Sequence, residues 1–386
     1  MKTEIKQRMI SVFDNSFDES DVKEVKKVLK SHLVGMGRVT EKFENEFKRR
    51  IGFKSASAVS SCSNGFWLVL RTLSFKPSDE IIIPNIHFFG IKNVMDLLNI
   101  QYKITDVGKS IPNITLEEIM DKVTVNTKAI IFLEYGGYPI LEVDDIKQYL
   151  KDNHREDILL ILDAANSPFT KYRGKHSATD YDIAVYSFDM NKILVTGEGG
   201  IVLSNDEYII NKIKSLSYYG IVDSIKTAFE KSKTNEKWWE IETTIPSLKL
   251  VMNNIAASLG LTQLNKIETI LEKRTRVLQE YRNLLNPLAL EGLLEFPQSP
   301  KELENNVYLF WLVLKDEITR NNLAKFLLRN NIYTTVKYQP LDKTVKTPNA
   351  FSFYNRAINL PLHQNITQKE QEYIIKSIYR FFSHGN

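Results

Sequence analysis

Lys192 stands five residues after Ser187 and just ahead of Ile193-Leu194-Val195 and the turn Thr196-Gly197-Glu198-Gly199-Gly200. A lysine tucked between the end of an apolar run and a glycine turn is not in the setting of an ordinary solvated lysine. Partial burial there would depress its pKa and make the amine a usable nucleophile, of the kind that condenses with a carbonyl. A surface lysine beside a hairpin would occupy the same place, so other residues must decide. Gly197, Gly199 and Gly200 would permit a tight backbone turn at this point.

Three further features adjoin predicted strands or helices. Asp163 closes the run Ile158–Leu162 and opens Asp163-Ala164-Ala165-Asn166. A carboxylate at the tip of a buried strand needs a partner, because unpaired desolvation is costly. It either caps the following turn or keeps a pyridinium nitrogen protonated, which turns such a ring into an electron sink. Ser61-Cys62-Ser63-Asn64-Gly65 precedes the apolar helix Phe66–Leu73. Small and hydroxyl residues at a helix N-terminus present free N–H groups to a phosphate, or simply cap the helix. Finally, His87-Phe88-Phe89 comes after Ile81–Ile83 and Pro84, and an aromatic there either stacks on a planar ring or joins the core.

The elements that must position these residues are legible as an alternation. Val22, Val25, Val28 and Leu29 sit at helical spacing near the start. Short apolar runs come next, at Glu80–Ile83, Tyr102–Thr105, Ala129–Leu133, Ile158–Leu162, Ile183–Tyr186 and Gly200–Leu203. Thr115 with Glu118 has the form of a capping box between them. Strands of this type separated by helices predict a mostly parallel sheet covered on both faces. A long helix is predicted through Leu261, Leu264, Ile267, Leu271, Leu278, Tyr281 and Leu285, ended by Pro287. The remainder reads as a small α+β unit: a strand at Val307–Leu314, a helix at Thr319–Arg329, a strand at Ile332–Val336 and a last helix opened by Thr367 and Glu370. The expected division is residues 1–250 for the large domain and 251–386 for the long helix and small domain.

Composition narrows the function classes. The formal net charge is +4, from 51 Lys and Arg against 47 Asp and Glu spread along the chain, too weak a balance to point to nucleic acid. Cys62 is the one cysteine, so no internal disulfide or thiolate cluster can form, in keeping with a reducing compartment. Met1–Met9 has no apolar signal region and no run approaches a membrane span, so a cytoplasmic protein is expected. There is no G-x-G-x-x-G after a strand, no Walker A, no H-E-x-x-H and no G-x-S-x-G, and the histidines never fall at metal-ligand spacing.

Taken in order, Asp163-Ala164-Ala165-Asn166, Ser187-Phe188-Asp189-Met190-Asn191-Lys192 and Thr196–Gly200 resemble the sugar aminotransferases of the DegT/DnrJ/EryC1/StrS group, a branch of the fold-type I pyridoxal phosphate (PLP) enzymes. The resemblance implies that fold, with a seven-stranded-type sheet in the large domain. It implies that Lys192 carries PLP as a Schiff base, that Asp163 binds the pyridine nitrogen and that Asn166 stands near the phenolic oxygen. Ser63 and Asn64, with Ser187, would touch the phosphate, and Phe88 would stack on the ring. Lys249, ahead of Met252-Asn253-Asn254-Ile255, resembles a family residue that reaches into the neighbouring subunit's site, so a homodimer with shared sites is implied. Gly35-Met36-Gly37 resembles a substrate-side loop, Lys337-Tyr338 falls where the family often has His-Tyr, and Glu134 stands where a histidine is frequent. Cys62 replaces a usual glycine and Asn166 a usual glutamine.

The activity implied by this resemblance is that of an aminotransferase cycling between PLP and its pyridoxamine form. It would take an amino group from glutamate and give it to a nucleotide-linked keto-(deoxy)sugar, for a surface polysaccharide, a glycan or an antibiotic. Two other classes stay open at this point: a PLP aminotransferase for a non-sugar keto substrate, and a non-catalytic regulatory relative on the same fold.

Overall fold

The apolar runs of the first half form strands β1 (Ser55–Val59), β2 (Glu80–Pro84), β3 (Gln101–Thr105), β4 (Thr127–Leu133), β5 (Leu159–Asp163), β6 (Lys171–Tyr172), β7 (Lys175–His176), β8 (Ile183–Ser187) and β9 (Gly200–Ser204). The computed structural model describes residues 8–221, 237, 239–243, 245–305 and 307–383. Seven of these strands make one sheet in the order β1-β9-β8-β5-β4-β2-β3. Every neighbouring pair is parallel except those of β9, which runs against both β8 and β1. β1 is a strand the sequence reading did not single out: with Ser at two of its five positions, it lacks the continuous apolar run of its neighbours.

Period-two alternation sends successive side chains to opposite faces of the sheet. Ile81, Ile83, Ile161 and Val185 meet helices α3 (Cys62–Leu73), α4 (Phe89–Leu97) and α7 (Glu207–Ser217) on one face. Ile82, Leu160, Leu162, Ala184 and Tyr186 meet α2 (Arg38–Ile51) and α6 (Val143–Asp152) on the other. α1 (Glu19–Ser31) is capped by Asp18 and Asp21, and packs on a 37-residue helix, α8 (Asn254–Leu290). Between α4 and α6 lies the short α5 (Leu116–Met120). Thr115 caps it as expected, but the Glu118 carboxylate turns away to accept from Thr105 Oγ1 and the Asp106 N–H.

Past α8 come β10 (Leu294–Glu295), β11 (Leu303–Glu304), β12 (Phe310–Leu314), α9 (Glu317–Arg329), α10 (Pro348–Arg356), β13 (Ala357–Leu360) and α11 (Gln368–Ser383). β10, β12 and β13 form an antiparallel sheet, while β11 joins β6 and β7. The Thr367–Glu370 capping box closes reciprocally, backbone N–H to side chain in both directions. A mostly parallel sheet between helical layers, with a smaller α+β unit after it, is the predicted architecture.

Two expectations fail locally. Pro287 does not end α8, which continues to Leu290. It sits in the last turn, where only one i→i−4 bond is forfeited and the Glu291 N–H still closes onto the Pro287 carbonyl. Ile332–Val336 is not a strand of the sheet. Ile332 bridges to Ile10 and Thr335 to Asn359, so the segment is clasped from two sides by single bridges instead of one ladder. The first described residues therefore pack on the C-terminal unit: the Leu362 N–H donates to the Val12 carbonyl.

Gly65 shows how tightly α3 is pressed to the sheet. A Cβ there would lie 2.8 Å from Val185 Cγ1 and 3.3 Å from Val202 Cγ2. Alanine gains about 1 kcal/mol in helix propensity, whereas overpacking a filled core costs about 1–3 kcal/mol. Because the site is buried on rigid strands, the second term should win. Gly65→Ala is expected to lower the thermal unfolding midpoint by a few degrees; an unchanged or raised midpoint would contradict this packing.

Candidate active site

The residues predicted from chemistry converge on one edge of the sheet. β2, β5, β8 and β1 all end there, and β9 begins there, with Gly200 paired to both Ser187 and Val59. A Cβ on Gly200 would fall 2.7 Å from the Tyr186 carbonyl and 2.9 Å from Cys62 N, backbone that cannot move aside cheaply. This glycine is what lets the N-terminus of α3 sit directly on the strand ends. Gly197, at φ +87°, makes the turn that brings the chain back. The loop between β8 and β9 is closed by Phe188 N–H to the Gly199 carbonyl and Thr196 N–H to the Phe188 carbonyl, with Lys192 within it.

Asp163 takes up the capping role weighed for it and keeps one oxygen over. The capping oxygen accepts from the Ala165 N–H at 2.9 Å. The other faces His87 Nε2 at 3.6 Å, beyond hydrogen-bond reach. His87 is buried, and burial holds it below the ordinary imidazole pKa although Asp163 pulls the other way, so it stands neutral beside the carboxylate. Asn166 is buried as well. Its amide donates to the Tyr338 hydroxyl at 3.5 Å, while its Oδ1 and the His87 Nε2 have no partner among the described residues.

At the α3 N-terminus Ser61 is the cap, accepting from the Asn64 N–H at 3.2 Å. The helix starts at Cys62, so Ser63 and Asn64 lie in its first turn, and the Asn64 amide is already given to Ser60 Oγ. Ser187 lies at the end of β8 with its hydroxyl accepting from the Asp189 N–H. Phe88 is exposed at the start of α4, its ring 6.1 Å from that of Tyr338. A buried carboxylate with a free oxygen, unpaired polar atoms around it, and a helix N-terminus across the same edge suit PLP: an acid for the ring nitrogen, donors for the phosphate and a lysine between.

Lys192 is half-buried, and its Nζ donates to the Tyr308 hydroxyl at 3.3 Å. The expected depression of its pKa is not found. Burial does oppose the charge, but Tyr308, Tyr338 and Asp163 around the ammonium outweigh it and hold the group above the ordinary lysine range. Tyr308 was not legible as a site residue, because it contacts lysines 116 and 29 positions away and opens an ordinary-looking strand.

The remaining predicted residues divide. Tyr338 borders the site through Asn166 and Phe88, and Lys337 Nζ donates to Tyr308 at 3.1 Å. Gly35 and Met36 are exposed on a loop gripped by Asn254, whose N–H donates to the Val34 and Gly35 carbonyls and whose Oδ1 accepts from Thr40. Lys249 is exposed too, its Nζ 5.3 Å over the Tyr218 ring and away from the Lys192 cluster. Glu134 directly follows Leu133, which pairs with Asp163 across β4 and β5. It is fully buried at the end of β4, accepting from Ser177 Oγ at 2.8 Å, with the unpartnered Tyr181 and Tyr186 hydroxyls near its charge.

The fold is that of the fold-type I aminotransferases, enzymes that work with PLP. This chain is one of them: it belongs to the DegT/DnrJ/EryC1/StrS aminotransferase family, whose pattern it matches over residues 15–379. It is 28% identical over 384 residues to the dTDP-4-dehydro-2,3,6-trideoxy-D-glucose 4-aminotransferase of Saccharopolyspora spinosa, covering 97% of each chain. With the GDP-perosamine synthase of Escherichia coli O157:H7 it shares 25% identity over 387 residues, 97% of this chain and 99% of the other. The crystal structure of the aminotransferase TlmJ from Streptoalloteichus hindustanus superposes with a TM-score of 0.89 at 27% identity, covering 98% of this chain and all of that one. Among the described residues no helix is long and apolar enough to cross a membrane.

Burial pushes the Glu134 carboxyl up to about 7, against the nearby Ser167 hydroxyl and the hydrogen bond from Ser177. An acid with a raised folded-state pKa holds its proton when the unfolded chain has lost it, so stability falls as pH rises from about 4.5 to about 7 and stays lower above. The loss is on the order of 3 kcal/mol. Glu134→Gln removes that titration. Its melting temperature relative to the parent should therefore rise between pH 5 and pH 8, and a constant difference would contradict a buried, titrating Glu134.

Proposed function

We propose that this enzyme moves an amino group from glutamate to a nucleotide-linked keto-(deoxy)sugar, in the making of a surface polysaccharide, a glycan or an antibiotic sugar. The observation that carries the reading is the meeting of Lys192, Asp163, Ser187 and the α3 N-terminus on one sheet edge. That edge lies in a chain whose full-length relatives include aminotransferases named for nucleotide sugars. When bound, PLP supplies a protonated ring that spreads the charge left on a carbon when it gives up its proton.

This chain's own residues divide the work. Asp163 would keep a proton on the ring nitrogen with its uncapped oxygen, and His87, held neutral by burial, stands 3.6 Å from that oxygen without competing as a cation. Ser63, Asn64 and Ser187, with the N–H groups of the first turn of α3, take the phosphate. Asn166 offers its unpaired oxygen and amide near the phenolic oxygen, and Phe88 covers one ring face. Lys192 anchors the cofactor. Its free amine would carry a proton from the donor's α-carbon and, in the second half-reaction, return one to the sugar carbon.

Gly35, Met36 and Lys249 lie on exposed segments with the apolar Leu33, Val34 and Leu248 beside them. We assign this surface to a second copy of the chain in a homodimer, Lys249 serving the neighbour's site. Lys337 and Tyr338 border the sugar side. With a single half-buried cysteine, the enzyme suits the cytoplasm.

The test is turnover of a panel of TDP-, UDP- and GDP-linked ketosugars with glutamate, the aminated product read by mass. At least one sugar should be converted; conversion of simple keto acids alone would refute the sugar reading. Lys192→Ala should lose the visible cofactor absorbance and at least about a thousandfold in turnover. A variant retaining both would remove Lys192 from its role.

A further inference from the structure

Lys192 and Lys337 both point their ammonium groups at one phenol. Lys192 Nζ lies 3.3 Å and Lys337 Nζ 3.1 Å from Tyr308 Oη, and both donate to it. Among the described residues no carboxylate lies within salt-bridge distance of either ammonium. Two cations confined around a fully buried side chain repel each other in a medium of low dielectric. The arrangement needs an anion, and among the described residues Tyr308 is the only titratable group bonded to both.

The phenol is also held in place from every side. Its ring stacks on Phe13, with centroids 5.7 Å apart and planes 23° from parallel. The Phe13 ring in turn receives Lys337 Nζ at 4.2 Å from its centroid. Beneath, buried Arg274 donates through Nε to the Val307 carbonyl and through Nη2 to the Tyr308 carbonyl, with Nη1 on Gln364. Arg274 has no carboxylate partner among the described residues, so its guanidinium adds positive charge below the phenol. Tyr135 fixes the other flank, its hydroxyl donating to the Lys337 carbonyl.

We propose that Tyr308 is the shared counter-ion of Lys192 and Lys337 and the proton partner of Lys192. Its phenolate oxygen takes a proton from the Lys192 ammonium along their hydrogen bond whenever that amine must act as nucleophile or base. The balance is simple: one N–H bond breaks, one O–H bond forms, and the electron pair stays on Nζ. The triad's charge does not change, so no water or outside base is required. The step answers a difficulty of the site, where Lys192 is held in its charged form yet must react as an amine. The charged and titratable neighbours agree in sign. Burial works against ionising Tyr308, but Lys192 and Lys337 outweigh it and bring the phenol below its ordinary pKa. Tyr338 and Tyr135 are instead pushed up by burial, and Asp163 and Cys62 act on Lys192. Lys337 is then a positioning residue, acting through Tyr308.

This inference rests on the aminotransferase reading for its purpose but not for its measurement. Ultraviolet titration of the full chain freed of PLP reads tyrosinate directly. The parent-minus-Tyr308→Phe difference should show one tyrosinate band, with a midpoint at least about one pH unit below the ordinary phenol value near 10. Lys337→Met should move that band up by a similar amount, and the parent-minus-Lys337→Met difference shows it even if the phenylalanine variant fails to fold. In competitive acylation read by mass, Tyr308→Phe should move the Lys192 midpoint down, since burial and Lys337 then act against Tyr338 and Asp163 without the bonded phenol. A difference spectrum flat below the ordinary phenol range, or a midpoint indifferent to Lys337, overturns the proposal. A missing band in an enzyme that aminates ketosugars would sink this inference alone. A present band in one that aminates none would sink the sugar reading alone.

Discussion

One strand running the wrong way organises the site. β9 enters antiparallel between β8 and β1, and Gly200 is where it passes beneath α3, with the Tyr186, Ser61 and Cys62 backbones too close for any side chain. Through that contact a lysine-bearing loop, a strand-end serine and a helix N-terminus come to share one edge. The edge is where open α/β sheets present their loops, and β5 brings Asp163 to it from two strands away in the order of the sheet. The positions of donors and acid depend on this approach more than on any single hydrogen bond.

Around that frame, burial sorts the charges. His87 and Asp163 face each other with the imidazole neutral, so the carboxylate keeps a free oxygen. Glu134, fully buried just past β4, is pushed toward its acid form and accepts from Ser177. Arg274 is desolvated and lowered to about 10, yet kept in place by two backbone carbonyls and an amide. Each of these groups is expensive to bury. Arg274 offsets part of that expense by fixing the carbonyls of Val307 and Tyr308.

Much of this was readable beforehand, and the exceptions share a cause. The apolar runs of β2, β4, β5, β8 and β9 stand out because both faces of the sheet are covered, leaving no polar alternation to confuse them. β1 escaped because its serines dilute the run. Asp163, Ser187 and Lys192 could be named because each closes or comes just after such a run. Glu134 occupies the equivalent place after β4, and only the tertiary structure shows its carboxylate turned toward Ser177. The Lys192 pKa went the other way from the expectation because burial was visible in the local pattern and the neighbouring oxygens were not.

The amino-acid sequence by itself determined the layered α/β plan, its strand ends, and the lysine and aspartate beside them that we assign to PLP. These are local properties: hydrophobic periodicity, turn glycines and the residues that adjoin them in the chain. Only the tertiary structure decided what surrounds them. Tyr308 meets Lys192 across 116 positions and Lys337 across 29, Asn254 grips a loop 221 residues earlier, and His87 faces Asp163 from the loop after β2. Contacts of that range depend on how strands are ordered and how helices lie on them. No spacing along the chain encodes which of its seventeen tyrosines will stand between two ammonium groups.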